Sequence, residues 1–158
     1  YSVPLDKAYV FKKGGKVTVV AYSDGFVAAL EACGLIGSDT DVELIDLVSI
    51  NPIDHPTIAE SVKKTGRLIC VDTTNDSFSI GSEIIAKVVQ NPGIKLSQKP
   101  VTLSCPNVPC PTSTALTENY YPTKVDIANA ILAIQGKPGI EKKLTFEELH
   151  THPGFLIP

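Results

Sequence analysis

Residues 41–72, DVELIDLVSINPIDHPTIAESVKKTGRLICVD, decide the fold of this chain. The first apolar run, VELIDLV at residues 42–48, is rich in branched side chains and too short for a helix, so it predicts a buried strand. Pro52 ends this run. Asp54 stands where its carboxylate can accept a backbone N–H of the following turn, as a helix N-cap does. The pattern therefore predicts a strand, a tight turn and a helix in direct succession.

The same stretch contains the end of that helix and the start of a second strand. Lys63 and Lys64 lie in the last helical turn, where positive charge offsets the partial negative charge of the helix C-terminus. Gly66 can take the left-handed conformation that ends a helix, and RLICV at residues 67–71 begins the next strand. Two almost entirely apolar strands around one helix are typical of a parallel pair buried on both faces. We therefore assign the chain to the α/β class.

Composition limits the classes of protein to consider. A chain of 158 residues, 43% of them apolar and 20% charged, is ordinary for one globular domain. A net charge of −3 and the lack of a basic stripe along the sequence argue against nucleic acid as a partner. No apolar run has the length of a membrane span. The first residues, YSVPLDK, lack the charged and apolar regions of a signal peptide.

Cysteine and methionine usage adds two expectations. Cys33 falls in a helical pattern and Cys70 in a strand pattern, so we expect both to be small core residues in a reducing compartment. The sequence contains no methionine. We therefore expect a processed piece or an excised domain of a longer protein.

Two β-rich runs precede the central unit. AYVF at residues 8–11 and VTVVAY at residues 17–22 flank Gly14 and Gly15, which predicts an antiparallel hairpin. A helix follows over residues 23–36 with Ser23 or Asp24 as its cap. Its predicted apolar face consists of Phe26, Val27, Leu30 and Cys33.

The second half of the chain predicts another crossover. A helix is expected over residues 79–90 and a strand over 100–104. The segment CPNVPCP at residues 105–111 contains three prolines, which exclude a regular strand and force an extended loop. A final helix is predicted over residues 125–134 with Thr123 as its cap. The tail from residue 140 holds at most a short helix over residues 145–149.

Loops that follow parallel strands meet beyond the carboxyl ends of those strands. Here these loops are residues 23–25, 49–54, 72–78 and 105–111. They hold the carboxylates Asp24, Asp54, Asp72 and Asp76 but no lysine, and the nearest histidine, His55, directly follows the second loop. Such a set is too poor in nucleophiles and bases for a self-contained catalytic centre. We expect no catalytic residue, cofactor ligand or metal ligand in this domain.

Weaker patterns have a simple structural interpretation. Gly81, in SFSIGSE at residues 77–83, is a single glycine where a dinucleotide fingerprint has three, so we expect close helix–sheet packing there. Cys105 and Cys110 lack a second ligand pair for zinc. Two packed thiols are the preferred interpretation, and a disulfide after oxidation is the alternative. His150 and His152 have the spacing of a strand-borne metal pair, but exposed side chains in the tail are the simpler interpretation.

A series of short motifs identifies the domain family. They are VPLDKA at residues 3–8, ELIDL at 43–47, PID at 52–54, SVKKT at 61–65, GSEI at 81–84 and VPCP at 108–111, followed by Glu118 and Tyr121-Pro122. This ordered set resembles the C-terminal domain of transketolase-like enzymes. The resemblance is greatest to the beta subunit of the thiamine-diphosphate-dependent decarboxylase component of 2-oxo acid dehydrogenase complexes, of the pyruvate or branched-chain type. The family-motif positions, expected to be structural or interface residues, are Asp46, Pro52, Asp54, Lys64, Thr65, Gly81, Glu83, Pro109, Pro111, Glu118 and Pro122.

The resemblance implies a three-layer α/β/α domain over residues 1–135, with a mixed, mainly parallel sheet of about five strands. Residues 136–158 would form an extended C-terminal arm. The parent reaction would be oxidative decarboxylation of a 2-oxo acid with acyl transfer to lipoamide. Thiamine diphosphate and magnesium would lie elsewhere in the parent enzyme, between the preceding domain and the alpha subunit.

By the same resemblance, the domain would serve assembly and partner docking. Its implied partners are the preceding domain of the subunit, the alpha subunit and the acyltransferase core, in a homo- or hetero-oligomer. No nucleic acid or membrane is implied. The implied compartment is the bacterial cytoplasm or the mitochondrial matrix, and the isolated domain is expected to be inactive.

Three positions depart from the family pattern. Val48 stands where an arginine usually follows Asp-Leu, Ser79 replaces a glycine, and Asn107 replaces an aspartate. Two other classes of function stay open at this point. One is the C-terminal domain of a transketolase-type transferase, which would need basic residues at the strand ends to hold sugar phosphates. The other is a non-catalytic interaction module.

Overall fold

The computed structural model describes residues 4–117 and 120–141 of the chain. In these residues the chain forms five strands: β1 (Tyr9–Lys12), β2 (Val17–Ala21), β3 (Val42–Asp46), β4 (Leu68–Asn75) and β5 (Val101–Cys105). The helices are α1 (Ser23–Ile36), α2 (His55–Thr65), α3 (Ile80–Gln90), α4 (Thr114–Thr117) and α5 (Lys124–Ile134), and Ser38–Thr40 forms a 3-10 turn.

The strands make one sheet in the order β1-β3-β2-β4-β5. β2 pairs in parallel with β3 and with β4, and β4 pairs in parallel with β5. β1 lies at one edge and runs antiparallel to β3. The mixed, mainly parallel sheet predicted from the sequence is confirmed.

Helices cover both faces of the sheet and make three layers. α1 and α5 pack on one face, where the buried helical side chains are Ala29, Ala32, Cys33, Ile127, Ala128 and Ile131. α2 and α3 pack on the other face through Ile58, Val62, Ile84 and Val88. Each fully buried Val or Ile contributes about 1.5–3 kcal/mol, so these two clusters are the main source of stability.

The central β3–α2–β4 unit forms as the sequence predicts. Asp54 caps α2, since its Oδ1 accepts a 3.2 Å hydrogen bond from the Thr57 amide. Gly66 follows the helix with φ of 66°, and its amide donates to the Val62 carbonyl. Thr123 likewise caps α5: it forms a reciprocal capping box with Asp126.

The predicted β1–β2 hairpin is wrong. Both strands instead flank β3, which lies between them in the sheet. Gly14 passes so close to the start of β3 that an added Cβ would lie 2.3 Å from the Val42 carbonyl carbon. The glycine pair therefore lets the chain cross the end of β3 rather than make a tight turn between paired strands.

The start and the buried face of α1 also differ from the expectation. Tyr22 is the N-cap residue, and no side chain caps the helix there. Ser23 has a left-handed backbone, with φ of 52°. The buried positions of α1 are Gly25, Ala29, Ala32 and Cys33, so only Cys33 of the predicted apolar face is fully buried. Small side chains let α1 approach the sheet and α5 closely.

The last described residues run along α5. The Ile140 amide donates to Oδ1 of Asn129 at 2.8 Å, and the Ile140 side chain packs against the α1–α5 core. The domain boundary after residue 135 stays a prediction. Glu118, the predicted helix at residues 145–149, His150 and His152 lie outside the described residues.

Candidate functional site at the carboxyl edge of the sheet

The loops after the parallel strands meet at one edge, which we call the carboxyl edge. Several hydrogen bonds join the loops after β4 and β5. Among them, the Asp76 amide donates to the Cys105 carbonyl at 2.9 Å, Nδ2 of Asn75 to the Pro106 carbonyl at 2.7 Å, and the Ser77 amide to Oδ1 of Asn107 at 3.0 Å. Asn107 is therefore a structural acceptor between two loops.

Asp72 is a fully buried carboxylate at this edge. Its Oδ1 accepts from the Tyr22 hydroxyl at 2.6 Å and from the amide and hydroxyl of Thr74 at 2.8 and 2.6 Å. Its Oδ2 accepts from the Gly81 amide at 2.9 Å, in the first turn of α3. Desolvation alone would raise the pKa of Asp72, but these hydrogen bonds outweigh it and hold the pKa below its usual range. The sequence pattern predicted that a loop begins at Asp72, but β4 extends to Asn75, so Asp72 lies within the strand. The pattern gave no sign of this network.

Asp54 is the second buried carboxylate of the edge. Besides capping α2, its Oδ2 accepts from the Thr57 hydroxyl at 2.6 Å and from the Ala8 amide at 3.1 Å. Burial raises the pKa of Asp54, while these bonds and Lys7, with Nζ at 4.0 Å, lower it to a net value below the usual range. Through the Ala8 hydrogen bond, Asp54 thus links the segment before β1 to the loop after β3.

Gly81 is required for close packing. A Cβ at this position would lie 3.0 Å from Cβ of Cys70 and 3.0 Å from Cγ2 of Thr102, which is tighter than ordinary contact. Ser79 caps α3 by accepting from the Ser82 amide. The serine that departs from the family's glycine is therefore a helix cap. Glu83 points outward, with Oε1 4.0 Å from Nε2 of His55.

The loop after β3 contains Asp46, Val48 and Pro52. Oδ1 of Asp46 accepts from the Val48 amide at 3.0 Å. Val48 has φ of 57° and the Ser49 amide donates back to the Leu47 carbonyl, so Val48 is the centre of a tight three-residue turn that is rare for a β-branched residue. Pro52 is exposed and follows a cis peptide bond.

Apolar side chains project from the loops of this edge. Phe78 is fully exposed and its backbone is left-handed, with φ of 60°. Ile50 and Val108 are about half exposed, and Val48 is 40% exposed. Ser23, Val48 and Phe78 place one left-handed non-glycine residue in each of three successive carboxyl-edge loops. Such conformations in bulky residues cluster where a loop is shaped for contact with something else.

A shallow cleft of about 380 Å³ lies beside β5. It is lined by Asp76, Leu103, Ser104, Cys105, Pro106, Tyr120, Tyr121, Pro122 and Asp126. The Tyr120 hydroxyl donates to the Val108 carbonyl at 3.0 Å and thereby fixes the proline-rich loop, which also contains the motif residues Pro109 and Pro111.

The two thiols of that loop are in different environments. Cys105 is buried and donates to the Thr73 carbonyl, and burial raises the pKa of this thiol. Cys110 is exposed, with Sγ 3.4 Å from the Tyr121 hydroxyl; this contact and burial raise the pKa of Tyr121 to about 12. The interpretation of two packed thiols is therefore wrong for Cys110. Cys33 and Cys70 are buried, as predicted, and burial raises the pKa of both.

Lys64 and Thr65 lie far from these loops, at the opposite end of α2. Lys64 pairs with buried Glu43. Burial raises the pKa of Glu43, but hydrogen bonds from Lys64, Ser61 and the Gly14 amide bring it below the usual range. Thr65 Oγ1 lies 2.7 Å from Oγ1 of fully buried Thr18. These two motif positions stabilise the core and take no part in the carboxyl edge.

The two buried carboxylates of the carboxyl edge are engaged in several hydrogen bonds each: Asp72 accepts four and Asp54 accepts three. Across the described residues, no group of three or more His, Cys, Asp or Glu side chains lies close enough together to hold a metal ion. Over the same ranges, no helix is long and apolar enough to cross a membrane.

The sheet order, the two helical layers and the loop-built edge define a domain of the transketolase-like α/β class. Residues 6–127 match the family of transketolase C-terminal domains. The chain belongs to that family.

Curated relatives carry the resemblance further. The pyruvate dehydrogenase E1 component subunit beta of Rhizobium meliloti (strain 1021) is 34% identical over 135 residues, which cover 85% of this chain and 29% of that protein. The acetoin:2,6-dichlorophenolindophenol oxidoreductase subunit beta of Bacillus subtilis (strain 168) is 33% identical over 142 residues, 89% of this chain and 41% of that protein. The mitochondrial pyruvate dehydrogenase E1 component subunit beta of Homo sapiens is 32% identical, covering 83% and 37%. The chain thus spans less than half of these relatives.

A solved structure supports the fold. The "Split gene transketolase, inactive beta4 tetramer" superposes with a TM-score of 0.72 over 86% of this chain and 43% of that chain. Its sequence identity is 23%, so this likeness supports the fold alone.

Proposed function

We propose that this chain is the assembly and partner-docking domain of a thiamine-diphosphate-dependent 2-oxo acid dehydrogenase beta subunit. The parent reaction is oxidative decarboxylation of a 2-oxo acid with acyl transfer to lipoamide, an oxidoreductase activity that the isolated domain lacks. Membership of the transketolase C-terminal family and similarity to beta subunits support this assignment.

One observation carries the docking role: the loops of the carboxyl edge expose apolar side chains, whereas the carboxylates Asp54 and Asp72 of the same edge are buried. Phe78 is fully exposed on a left-handed backbone, and Val48, Ile50 and Val108 are exposed on neighbouring loops. Exposed apolar side chains grouped on one edge are typical of surfaces covered by a partner. The family-motif positions of this edge build the loops that present them.

The cofactor of the parent enzyme does not fit this domain. Thiamine diphosphate requires a magnesium site and donors for two phosphate groups. Asp54 and Asp72 are both buried and already accept three and four hydrogen bonds, so neither carboxylate is exposed to hold a metal. We therefore place the cofactor in the parts of the parent enzyme outside this chain.

The proposed partners are the preceding domain of the same subunit, the alpha subunit and the acyltransferase core. The corresponding compartment is the bacterial cytoplasm or the mitochondrial matrix. In this arrangement the carboxyl edge faces other subunits, and the domain contributes buried area rather than catalytic groups.

The assembly test uses the full-length beta subunit co-expressed with its alpha subunit. Phe78→Ser should leave the melting temperature of the chain unchanged, because the ring contributes nothing to the core, but should shift the complex toward free subunits in size-exclusion chromatography with light scattering. Val89→Ser on α3, which removes another exposed apolar side chain, is the matched control. If the Phe78→Ser variant assembled with the alpha subunit as the unmodified chain does, the proposed docking role of the carboxyl edge would be wrong.

The cofactor assignment has a separate test. Isothermal titration of the 158-residue chain with thiamine diphosphate and magnesium should give no heat of binding. Binding of thiamine diphosphate with micromolar affinity would contradict the proposal that the cofactor site lies outside this chain.

A further inference from the structure

The fold gathers basic residues that are scattered along the sequence onto the edge opposite the candidate site, which we call the amino edge. Parallel strands begin there, and β1 ends there. Ten basic residues lie at this edge: Lys12, Lys13, Lys16, Lys63, Lys64, Arg67, Lys87, Lys95, Lys99 and Lys137. The carboxylates at the same edge are Asp39, Asp41 and Glu43. A chain with a net charge of −3 thus carries a strongly cationic edge.

Backbone hydrogen bonds fix the placement of these residues. The Lys16 amide donates to the Asp41 carbonyl at 3.0 Å, and the Thr18 amide donates to the Arg67 carbonyl at 2.9 Å, which sets the starts of β2, β3 and β4 side by side. The Ser97 amide donates to the Gly66 carbonyl at 2.8 Å. This bond brings the loop that contains Lys95 and Lys99 to the same edge.

Only some of these basic side chains have hydrogen-bond or ion-pair partners within the chain. Lys64 pairs with Glu43, Nη1 of Arg67 donates to the Lys16 carbonyl, and Nζ of Lys137 donates to the Asp39 carbonyl. Six lysines of this edge are exposed, and within the described part of the chain none has a carboxylate within ion-pair distance: Lys13, Lys16, Lys63, Lys87, Lys95 and Lys99.

Helix dipoles do not account for the cluster. The crossover helices end at this edge, and lysine in a last helical turn offsets the partial negative charge there. Lys63 and Lys64 of α2 and Lys87 of α3 occupy such positions, whereas α1 and α5 have no basic residue in their last turns. The other seven basic residues lie in loops and at strand ends.

We propose that the amino edge is a docking surface for an acidic polypeptide segment. Neighbouring strands are about 4.8 Å apart, so five strands span about 19 Å. An extended segment of about six residues covers that distance at about 3.3 Å per residue. Carboxylates along such a segment would face Lys13, Lys16, Lys63, Lys95 and Lys99 in turn. The surface is independent of the function proposed for the carboxyl edge.

The chemistry of the edge favours carboxylates over nucleic acid. Lysine binds phosphate as a point charge, but the planar, two-pronged recognition of phosphate is supplied by arginine. The single arginine here, Arg67, donates to a backbone carbonyl. Binding of single strands also relies on exposed aromatic rings on which bases stack. Phe11, near the end of β1, is half exposed and packs edge-to-face against Phe26 with a centroid separation of 5.4 Å.

The test measures binding of a fluorescein-labelled octaglutamate peptide to the 158-residue chain by fluorescence anisotropy. The test variant is Lys16→Gln/Lys63→Gln/Lys95→Gln. The control, Lys7→Glu/Lys124→Gln, lowers the net charge by the same three units at positions away from the amino edge. The amino-edge variant should bind about tenfold more weakly, since three exposed ion pairs together are worth about one order of magnitude in affinity. The control should stay within about twofold of the unmodified chain.

Circular dichroism melting confirms that each variant is folded. Absence of peptide binding by the unmodified chain, or equal loss in both variants, would overturn the proposal. Tighter binding of an oligothymidylate of equal charge through the same lysines would also overturn it and would assign the edge to nucleic acid. Selective loss of peptide binding in the amino-edge variant supports the proposal.

Discussion

The Tyr22 hydroxyl donates a 2.6 Å hydrogen bond to Oδ1 of Asp72, which joins the start of α1 to the end of the buried part of β4. Burial, together with the neighbouring Asp72 carboxylate, raises the pKa of Tyr22 to about 12, so the phenol stays a donor over the whole physiological range. Because Asp72 also holds the first turn of α3 through Gly81, one buried carboxylate fixes two helix starts relative to the sheet.

Removal of the Asp72 charge should destabilise the chain. We expect Asp72→Asn to lower the free energy of unfolding by about 2 kcal/mol, because a buried network of hydrogen bonds to a charged acceptor is broken. Urea titration at neutral pH measures this change. Asp24→Asn, an exposed position of the same edge, should stay within about 0.5 kcal/mol.

The same network sets a pH dependence. The folded-state pKa of Asp72 lies below its ordinary value of about 3.9, so the unfolded chain takes up the proton first as the pH falls. The stabilisation by Asp72 is therefore fully present above that ordinary value and is lost as the pH falls through the folded-state pKa. The difference in stability between the unmodified chain and Asp72→Asn should shrink over this acidic window. A difference that stays constant down to the folded-state pKa would show that Asp72 is not ionised in the folded chain.

Two glycines provide a matched pair. Gly81→Ala should cost about 1–3 kcal/mol because the new methyl group meets Cys70 and Thr102 at 3.0 Å. Gly34→Ala in α1, where nothing lies within 4 Å of the added Cβ, should stabilise the chain by about 0.5–1 kcal/mol. Thermal and urea unfolding of both variants measure the difference. Equal changes in the free energy of unfolding for the two variants would show that close packing does not require a glycine at position 81.

Asp54→Ala tests the cap of α2. The loss of the Thr57 and Ala8 hydrogen bonds should lower the free energy of unfolding by about 1–2 kcal/mol. Asp54→Asn keeps an acceptor oxygen and should recover part of this loss. An unchanged melting temperature in the alanine variant, alongside weaker binding of a partner subunit, would make Asp54 an interface residue rather than a structural one.

A buried hydroxyl cluster gives a fifth prediction. Oγ1 of Thr18 lies 2.7 Å from both Oγ of Ser61 and Oγ1 of Thr65. Thr18→Val should cost about 2 kcal/mol because two buried hydroxyls lose a partner. In a double-mutant cycle, Thr18→Val/Ser61→Ala should cost less than the sum of the single changes, since the pair acts as a unit. Strict additivity would show that the two hydroxyls are not coupled in solution.

Local patterns predicted much of the fold. Asp54, Gly66 and Thr123 stand at helix ends because each supplies a contact that a helix terminus needs, and these signals depend only on neighbouring residues. The Gly14-Gly15 pair led to the wrong prediction of a β1–β2 hairpin. Adjacent glycines are found both in tight turns and where one chain segment passes close to another. Only the position of β3 between β1 and β2 distinguishes the two.

Properties that depend on several distant loops were not accessible from the sequence. The Asp72 hydrogen-bond network joins residues 22, 72, 74 and 81, and no local sequence pattern predicts it. The amino edge draws its lysines from segments between residues 12 and 137, so the charge surface exists only after the strands align. The left-handed backbones of Val48 and Phe78 run against the ordinary preference of bulky residues, and a propensity argument cannot anticipate them.

The direction of the edge strand has a consequence for how the domain is tethered. Because β1 runs antiparallel to β3 and the Ala8 amide is bonded to Asp54, the described chain enters at the carboxyl edge. A polypeptide joined ahead of Pro4 would therefore be anchored beside the exposed loop of Val48, which follows β3. A short tether gives an effective local concentration of about millimolar. A contact with that loop whose Kd is well below about millimolar would then be formed most of the time.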